Sequence, residues 1–254
     1  MADAPDLTPA APGELKFSII VPAYNEEAVI ENTLVDLCDY LSTEKFRFEV
    51  IVVDDASADK TGEIVAQIAQ TRPQVIGVRN DGPNGYGYAI RRGLGVYTGD
   101  AMVIVTADGA DAPKDVAAYF RKIEEGYDCA FGSRFMPGAK VSGYPRFKLF
   151  MNRIANWLIS LIVGRKYNDF TNGFKCYRRH VIDAMQPLVT GQFNITIELA
   201  VKATLGGWRY AVVPNDWTER DAGASSFKIF KLIKPYAATF IYCLTQDYLK
   251  NVKR

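Results

Sequence analysis

The stretch FSIIVPAYNEEAVIENTLVDLCDYL, residues 17–41, contains the pattern that decides the fold. Phe17–Val21 is a short apolar run that ends at Pro22, and it predicts a buried strand. Ala28–Leu41 follows with its apolar residues at helical spacing. The sequence therefore predicts a strand followed by a helix, with a polar connection between them.

Strand and helix patterns alternate through the first half of the chain. Further apolar runs predict strands at Glu49–Val53, Val75–Val78, Ala101–Val105 and Cys129–Gly132. Helical spacing predicts helices at Lys60–Thr71, Tyr86–Tyr97 and Pro113–Glu125. Continuously apolar strands are typical of parallel sheets, which helices cover on both faces. The sequence therefore predicts an α/β fold with a mostly parallel, Rossmann-like central sheet flanked by helices.

The second half of the chain is less regular. Its patterns predict three helices and one strand, at Phe147–Ile162, Ile195–Leu205, Ser226–Leu244 and, for the strand, Trp208–Val213. Pro235 is expected to break or kink the last helix, because proline lacks the N–H that a helix interior needs. We expect a disordered leader over residues 1–14, one catalytic domain over 15–225, and an amphipathic helical segment over 226–254.

Composition excludes several classes of protein. The 254 residues include 30 Lys and Arg against 29 Asp and Glu, so the net charge is +1, and a general nucleic-acid binder is usually more basic. The four cysteines form no CxxC pair, which favours free buried thiols in a reducing cytosol. His180 is the only histidine, so a multi-histidine metal site is excluded. No apolar run reaches the ~18 residues that a membrane span requires.

Acidic residues follow two of the predicted strands. Asp54 and Asp55 end the second strand, and Asp108 and Asp111 follow the fourth. The carboxyl ends of parallel strands share one edge of the sheet, where ligands bind, so these carboxylates are expected on one rim. Mg²⁺ is commonly held by one or two carboxylates together with substrate phosphates. The pattern indicates a nucleotide diphosphate and its metal; the alternative for Asp111 is an N-cap of the following helix.

Six separated segments carry a resemblance to a known family. They are SIIVPAYNEE (18–27), VIVVDDASADKT (50–61), TADGADAP (106–113), FGSRF (131–135), DFTNGFKCYRR (169–179) and ERDAGAS (219–225). The first three resemble family 2 glycosyltransferases of the GT-A fold, and the last three resemble the dolichol-phosphate mannose synthase-like branch. The resemblance covers roughly residues 16–230 and implies an inverting glycosyltransferase that uses a UDP- or GDP-sugar donor.

The resemblance also implies roles for residues at the donor end. Pro22, Tyr24 and Glu26 correspond to the stretch that contacts the nucleobase, and Asp55 corresponds to the carboxylate that holds the nucleoside. Asp108 resembles the metal-coordinating residue of the family's DxD motif. A Mg²⁺ or Mn²⁺ cofactor is therefore expected.

Further positions are matched around the phosphates. Asp111 resembles a second metal ligand, and Arg134 and Lys175 resemble phosphate-binding residues. Arg220 and Ser225 match a loop that closes on the active site in the family. We therefore expect Asp108, Arg134, Lys175 and Arg220 to act in catalysis and Ser225 to contact substrate.

The acceptor is expected to be an undecaprenyl or dolichyl phosphate. Between Arg134 and Lys166 the chain has seven Lys or Arg and no acidic residue, interleaved with aromatic and aliphatic residues. This mixture suits the surface of an anionic membrane, and we expect a cytoplasmic protein held peripherally on the cytoplasmic face. The alternatives for the apolar helix faces are a buried core, a homo-oligomer interface or a membrane-protein partner.

Three other functions remain open from the sequence. A family 2 glycosyltransferase with a soluble, glycan-linked or protein-linked acceptor is the first. An NAD-binding oxidoreductase domain is the second, because Gly85-Tyr86-Gly87 opens a helix after a strand, although Ile90 replaces the third glycine of that motif. A catalytically inactive binding module is the third, because Thr106 replaces the first acidic residue of the metal motif.

Overall fold

The structure is a computed structural model that describes residues 9–11, 13–218 and 229–252. Its strands are β1 (Lys16–Ala23), β2 (Arg47–Asp54), β3 (Val75–Arg79), β4 (Ala101–Ile104), β5 (Cys129–Ser133), β6 (Val141–Ser142), β7 (Lys175–Arg178), β8 (Tyr210–Pro214) and β9 (Trp217–Thr218). Its helices are α1 (Ile30–Thr43), α2 (Thr61–Thr71), α3 (Tyr86–Leu94), α4 (Pro113–Glu124), α5 (Arg146–Val163), α6 (Arg179–Ala184), α7 (Ile195–Leu205) and α8 (Ile229–Val252).

Seven strands form the central sheet in the order β3-β2-β1-β4-β7-β5-β8. Only β7 runs antiparallel to its neighbours within this sheet. The predicted α/β fold with a mostly parallel sheet flanked by helices is therefore confirmed. The carboxyl ends of β1, β2, β4 and β5 share one edge, and the antiparallel β7 begins at that same edge with Lys175.

The core lies on both faces of this sheet. Side chains alternate along β1, so Ile19 and Val21 pack with α1, α2 and α4, whereas Ile20 packs on the other face with α3 and α7. Each buried aliphatic side chain of this kind contributes about 1.5–3 kcal/mol relative to an exposed one. Burial on both faces explains why the strands are continuously apolar rather than alternating.

The predicted end of the first strand at Pro22 is wrong, and so is a break of the last helix at Pro235. Strand β1 continues through Pro22 to Ala23. Its pairing with β4 ends at Ile20, so no hydrogen bond to β4 is lost because proline has no N–H at position 22. Helix α8 runs unbroken through Pro235, and Tyr236 and Cys243 on it join the core around α7.

Several short elements were not predicted. Strand β7 has four residues, and its antiparallel pairing between β4 and β5 comes from residues far apart in the sequence. The two-residue strands β6 and β9 pair with each other outside the main sheet. Of the predicted leader, residues 1–8 and 12 lie outside the described residues, and the Ala10 N–H donates to the Glu124 carbonyl over 2.9 Å.

The structure gives the positions of the cysteines and of the single histidine. All four cysteines are free and buried. His180 lies 3.0 Å from the Asp128 carboxylate and packs edge-on against Trp208, away from the strand-end rim. Among the described helices, none combines the length and the hydropathy needed to cross a bilayer.

A buried carboxylate at the opposite edge of the sheet generates a prediction about stability. Glu49 accepts hydrogen bonds of 2.6 Å each from Lys16 Nζ, Ser18 Oγ and the Thr98 N–H. Burial alone would raise the pKa of Glu49, but these bonds outweigh burial and lower it to about 2. The lowered pKa stabilises the fold above the ordinary value near 4.5, and this contribution is lost as the pH falls toward 2.

We expect Glu49→Gln to lower the free energy of unfolding by about 3 kcal/mol at neutral pH. The difference from the unaltered protein should shrink as the pH falls through about 4.5, because the carboxylate that it removes becomes protonated on unfolding. Urea unfolding from neutral to acidic pH measures this difference. Glu125→Gln, which removes a carboxylate from an exposed pair with Lys122, is the control and should show almost no difference. A Glu49→Gln difference that stays constant with pH would contradict the interpretation.

Candidate active site

Two loops at the carboxyl edge of the sheet are bound to each other. The Asn25 N–H donates to Ser57 Oγ over 3.0 Å, and the Ala58 N–H donates back to Asn25 Oδ1 over 2.8 Å. The Glu26 N–H donates to Thr61 Oγ1 over 2.8 Å. These bonds fix the connection after β1 against the connection after β2, so Ser57 bridges two loops instead of capping α2.

Asp55 directly follows β2 at this edge. It is 7% exposed, and its Oδ1 accepts a hydrogen bond of 2.6 Å from Asn80 Nδ2 while its Oδ2 accepts one of 2.7 Å from the Gly85 N–H. Each carboxylate oxygen has a second lone pair, so Asp55 retains acceptor capacity for a ligand. The neighbouring Asp54 stabilises the turn after β2, because its Oδ1 accepts a hydrogen bond from the Ser57 N–H.

Pro22 and Tyr24, two of the residues expected at the nucleobase, lie at the end of β1 next to the end of β2. Pro22 is buried and pairs with Val53, one step before Ala23 pairs with Asp54. Tyr24 follows directly and is 57% exposed. The structure therefore places Pro22, Tyr24 and Asp55 at the adjoining ends of β1 and β2, where the Asp55 N–H donates to the Ala23 carbonyl over 2.8 Å.

The loop between β4 and α4 holds two further carboxylates. Asp111 Oδ2 accepts hydrogen bonds from the Thr106 N–H over 2.8 Å and from Thr106 Oγ1 over 2.9 Å. Asp108 Oδ1 accepts the Ala110 N–H over 3.1 Å. Helix α4 begins after Ala112 without a side-chain cap, so the N-cap alternative for Asp111 is wrong. Thr106, which replaces the first acidic residue of the motif, orients Asp111.

The electrostatics of this loop favour a cation. Burial raises the pKa of Asp111 to about 6, against the two bonds from Thr106, and the charges of Asp108 and Asp115 raise it further. A hard divalent cation would relieve this repulsion, since all the available donors are oxygens. Within the described residues no three His, Cys, Asp or Glu side chains form a metal cage. The residues present thus fit a cation whose remaining ligands come from phosphates and water.

Arg134 forms a buried ion pair at the end of β5. Its Nε and Nη2 donate to the two carboxylate oxygens of Asp169 over 2.9 and 2.7 Å, and Asp169 is fully buried. The rings of Phe135, Tyr144 and Trp217 lie 5.3, 5.9 and 6.0 Å from the guanidinium. Burial opposes the charge, but Asp169 raises the pKa of Arg134 above its usual value. Nη1 has no hydrogen-bond partner within the described chain, so it can serve an anion.

Lys175 lies beneath this pair instead of facing a ligand. It is 1% exposed, and its Nζ donates to the carbonyl oxygens of Phe170 and Asn172. Burial lowers the pKa of Lys175 to about 7, although Asp169 acts in the opposite direction. The amine therefore fixes the turn after Asp169, and the arrangement offers no direct contact between Lys175 and a phosphate.

Two expected site residues lie outside the described residues. Arg220 and Ser225 belong to residues 219–228, which the structure does not describe. The predicted loop that closes on the site therefore remains an expectation.

Two residues at the site were not identified from the sequence. Asn80 directly follows β3 and binds Asp55, so the rule that identified acidic residues at strand ends would have found it if amides had been included. Tyr86 is stacked on Phe193 at 4.5 Å, and burial raises the pKa of its phenol, with Asp111 as the next cause. Tyr86 directly follows Gly85, whose N–H donates to Asp55.

A groove runs along α5 beside the Arg134 pair. Its volume is about 700 Å³, and its lining residues are Phe135, Phe150, Arg153, Ile154, Trp157, Ser160, Lys166, Tyr167 and Asn168. Trp157 is 62% exposed and Phe150 is 61% exposed, whereas only Asn156 and Ile159 of α5 are buried. The alternative that this helix belongs to the core is therefore wrong. Arg153 and Arg134 both lie within 6 Å of the Phe135 ring, which joins the groove to the ion pair.

The glycine-rich start of α3 is closed to a dinucleotide. The N–H groups of Gly87 and Tyr88 donate to the Gly191 carbonyl over 3.1 and 3.2 Å, and the Gly85 N–H donates to Asp55. A pyrophosphate on a helix N-terminus needs such N–H groups for itself. The NAD-binding alternative is therefore wrong.

Comparison with known proteins identifies relatives of this site. The family model described as glycosyl transferase family 2 matches residues 18–185. Polyprenol monophosphomannose synthase of Mycolicibacterium smegmatis is 28% identical over 221 residues, which are 82% of this chain and 79% of the relative. Dolichol-phosphate mannosyltransferase of Pyrococcus furiosus is 28% identical over 216 residues, 84% of this chain and 60% of the relative. Glycosyltransferase AglD of Haloferax volcanii is 32% identical over 209 residues, 80% of this chain and 33% of the relative.

Solved structures share the fold. Glucosyl-3-phosphoglycerate synthase from Mycobacterium tuberculosis, in complex with Mn²⁺, UDP-glucose and phosphoglyceric acid, superposes with a TM-score of 0.66 at 17% identity, covering 91% of this chain and 80% of that one. Mannosyl-3-phosphoglycerate synthase from Rubrobacter xylanophilus gives 0.67 at 16% identity, covering 94% and 76%. At these identities the likeness establishes the GT-A fold alone.

The buried pair at the end of β5 generates a prediction about stability. Arg134→Met should lower the free energy of unfolding by about 3–5 kcal/mol, because it leaves the Asp169 carboxylate buried without its partner. Denaturant unfolding at neutral pH measures the loss. The control is Arg72→Met, since Arg72 pairs with Asp39 in a similar two-bond geometry but Asp39 is largely exposed. Equal losses in the two variants would show that burial of the Arg134 pair contributes nothing.

Proposed function

Since the chain belongs to glycosyl transferase family 2 and is a glycosyltransferase, we propose that it moves a sugar from a nucleoside diphosphate sugar to a polyprenyl phosphate. The observation that carries this proposal is that the Arg134 guanidinium lies next to the groove along α5. Arg134, with Nη1 available for an anion, adjoins an apolar and basic groove that opens along the exposed face of α5. A phosphate on a long apolar tail matches both parts.

The nucleoside is proposed to bind at the ends of β1 and β2. Tyr24 supplies an exposed ring for stacking, and Asp55 supplies acceptor atoms for the N–H groups of a base or the hydroxyl groups of a ribose. Uracil and guanine both carry such N–H groups, so UDP- and GDP-sugars are both candidates. Two of the relatives are named for transfer of mannose, which makes a mannosyl donor the first to test.

Asp108 and Asp111 are proposed to hold Mg²⁺ or Mn²⁺ on the donor diphosphate. Structural neighbours have been solved with each of these ions. A divalent cation bound there would neutralise the charge that develops on the departing nucleoside diphosphate. The two bonds from Thr106 keep Asp111 oriented for this task without a third acidic residue in the motif.

The reaction proposed is a single displacement with inversion. An oxygen of the acceptor phosphate forms a bond to the anomeric carbon while the bond from that carbon to the diphosphate breaks. The acceptor oxygen is already anionic, so no general base has to remove a proton. The chain's own task is to hold two anions together, and Arg134 suits it because a guanidinium binds phosphate through paired hydrogen bonds.

Peripheral binding to the cytoplasmic face of a membrane is proposed to bring the enzyme to its acceptor. The apolar side chains of α5 face outward, with Arg153 and Lys166 beside them in the same groove. Apolar residues that enter the interface and basic residues that meet anionic headgroups are the two contributions such binding needs. A second copy of the chain or a membrane-protein partner on this face would be the competing occupants.

A phosphorylated soluble acceptor is the second candidate. One neighbour of the same fold was solved with phosphoglyceric acid, a small anion that Arg134 would also suit. The groove on α5 would then have no role in the reaction, so the acceptor's partition between water and organic solvent separates the two candidates.

Asp108→Asn is expected to lower the turnover number for sugar transfer by at least about 100-fold, because an amide is a poor ligand for a hard cation. The measurement is release of nucleoside diphosphate under saturating Mn²⁺ or Mg²⁺, together with Mn²⁺ binding in the presence of UDP or GDP. Asp81→Asn is the control, since Asp81 lies in the exposed loop after β3. Turnover near that of the unaltered protein in Asp108→Asn would contradict the metal site.

Trp157→Asp is expected to weaken binding to vesicles at least about tenfold, because it removes a large apolar side chain from the interface and adds a negative charge. Flotation with vesicles of phosphatidylglycerol and phosphatidylcholine measures the effect. Ile76→Asp places the same charge on an exposed apolar position of β3 and should leave binding unchanged. Equal flotation of the two variants would argue against α5 as the membrane-binding face.

A further inference from the structure

A buried charged pair on α7 has no part in the reaction described above. Glu198 is fully buried, and its Oε1 accepts a hydrogen bond of 2.7 Å from Lys202 Nζ one helical turn later. Its Oε2 accepts the Thr190 N–H over 2.9 Å and Thr190 Oγ1 over 2.5 Å, and the Val189 N–H lies 3.0 Å from Oε1. Glu198 thus directs most of its acceptor capacity to the segment that precedes α7.

Lys202 binds the same segment from its other end. Its Nζ donates to the Met185 carbonyl over 3.2 Å and to the Pro187 carbonyl over 2.6 Å, in addition to Glu198. All three ammonium protons are therefore used. We call Glu198 and Lys202 the α7 clamp, because together they hold the backbone of residues 185–190 at four points. Burying two charges is costly unless their bonds are complete, as they are here.

The segment held by the α7 clamp docks on the first turn of α3. The Gly191 carbonyl accepts the N–H groups of Gly87 and Tyr88. A side chain on any of three glycines would disrupt this contact. A Cβ at Gly191 would lie 2.2 Å from the Tyr88 ring, one at Gly87 would lie 2.7 Å from the Thr190 carbonyl, and one at Gly85 would lie 2.4 Å from the Gly191 carbonyl.

The same docking reaches the nucleoside end of the site. Gln192 Nε2 donates to the Asn84 carbonyl over 3.2 Å, next to Gly85, whose N–H donates to Asp55 Oδ2. The position of Asp55 is therefore linked to the α7 clamp through Gly191 and the start of α3. Asn84 and Gly85 belong to the loop before α3 and Asp55 to the loop after β2, and the segment before α7 bonds to the first of these loops through Gln192.

We propose that Glu198 and Thr190 are positioning residues for the donor. By holding Gly191 against α3, the α7 clamp keeps Gly85 and Asp55 in the arrangement that accepts the nucleoside. This inference rests on the proposed role of Asp55 as the nucleoside contact. It also gives the glycines of Gly85-Tyr86-Gly87 a use other than phosphate binding, which is close packing against the backbone of residues 190–192.

A matched pair of threonine substitutions tests the proposal. Thr190→Val removes the hydroxyl that binds Glu198, whereas Thr204→Val removes an equally buried hydroxyl that bonds only to carbonyls of its own helix α7. Thr190→Val should raise the dissociation constant for UDP or GDP and the KM for the donor about tenfold, with kcat within about twofold of the unaltered value. Thr204→Val should change neither, although both variants lose a similar buried bond and melt at a lower temperature.

Gly191→Ala and amide hydrogen exchange provide a second test that does not depend on nucleotide. Exchange at the Gly87 and Tyr88 N–H groups should accelerate in Gly191→Ala and Thr190→Val but not in Thr204→Val, because only the first two loosen the docking. If all three variants bind nucleotide as well as the unaltered protein does, the inference about the α7 clamp is wrong but the proposed donor site is not affected. Failure of the unaltered protein to bind either UDP or GDP would overturn the donor site itself and the inference with it.

Discussion

The parallel pairing of β1 with β2 and β4 is the constraint on which the site depends. Register pairs Ala23 with Asp54 on one side and Ile20 with Ile104 on the other, so three chain segments leave the sheet at one edge. Polar residues follow each of these strands within one or two positions, namely Tyr24, Asp55 and Thr106. Tyr24, Asp55 and Thr106 therefore lie on the same edge of the sheet although they are far apart in the sequence. The hydrogen bonds between the loops after β1 and β2 then hold these two loops in place.

The charged residues at this edge of the sheet are of two kinds, acidic and basic. Asp55 follows β2, Asp108 and Asp111 share the loop after β4, and the guanidinium of Arg134 lies at the end of β5 with Asp169 as its buried partner. The acidic loop suits a cation shared with a diphosphate, and the guanidinium suits a second phosphate. An enzyme that joins two anionic substrates needs both kinds of group, and the sheet edge supplies them from different strands.

Local patterns predicted the strands, the helices between them and the acidic residues at the strand ends, because these depend on spacing of two or three to four residues. Such patterns do not predict which polar side chains are buried or which residues distant in the sequence they contact. Lys175 looked like a phosphate ligand, but its side chain is buried and its amine donates to the carbonyls of Phe170 and Asn172. Pro22 looked like a strand terminus, but the end of the β4 ladder frees its position. Asn80, Asp169 and Glu198 act through contacts that only the assembled sheet and helices create.

Transfer of label from a nucleotide sugar to a polyprenyl phosphate tests the central claim most directly. The unaltered protein would be incubated with Mn²⁺ or Mg²⁺, dolichyl or undecaprenyl phosphate, and each of GDP-mannose, UDP-glucose and UDP-N-acetylglucosamine labelled in the sugar. The account predicts label in the organic phase for one donor, dependent on the divalent ion and on the lipid phosphate. Release of nucleoside diphosphate with all of the label left in water would contradict it.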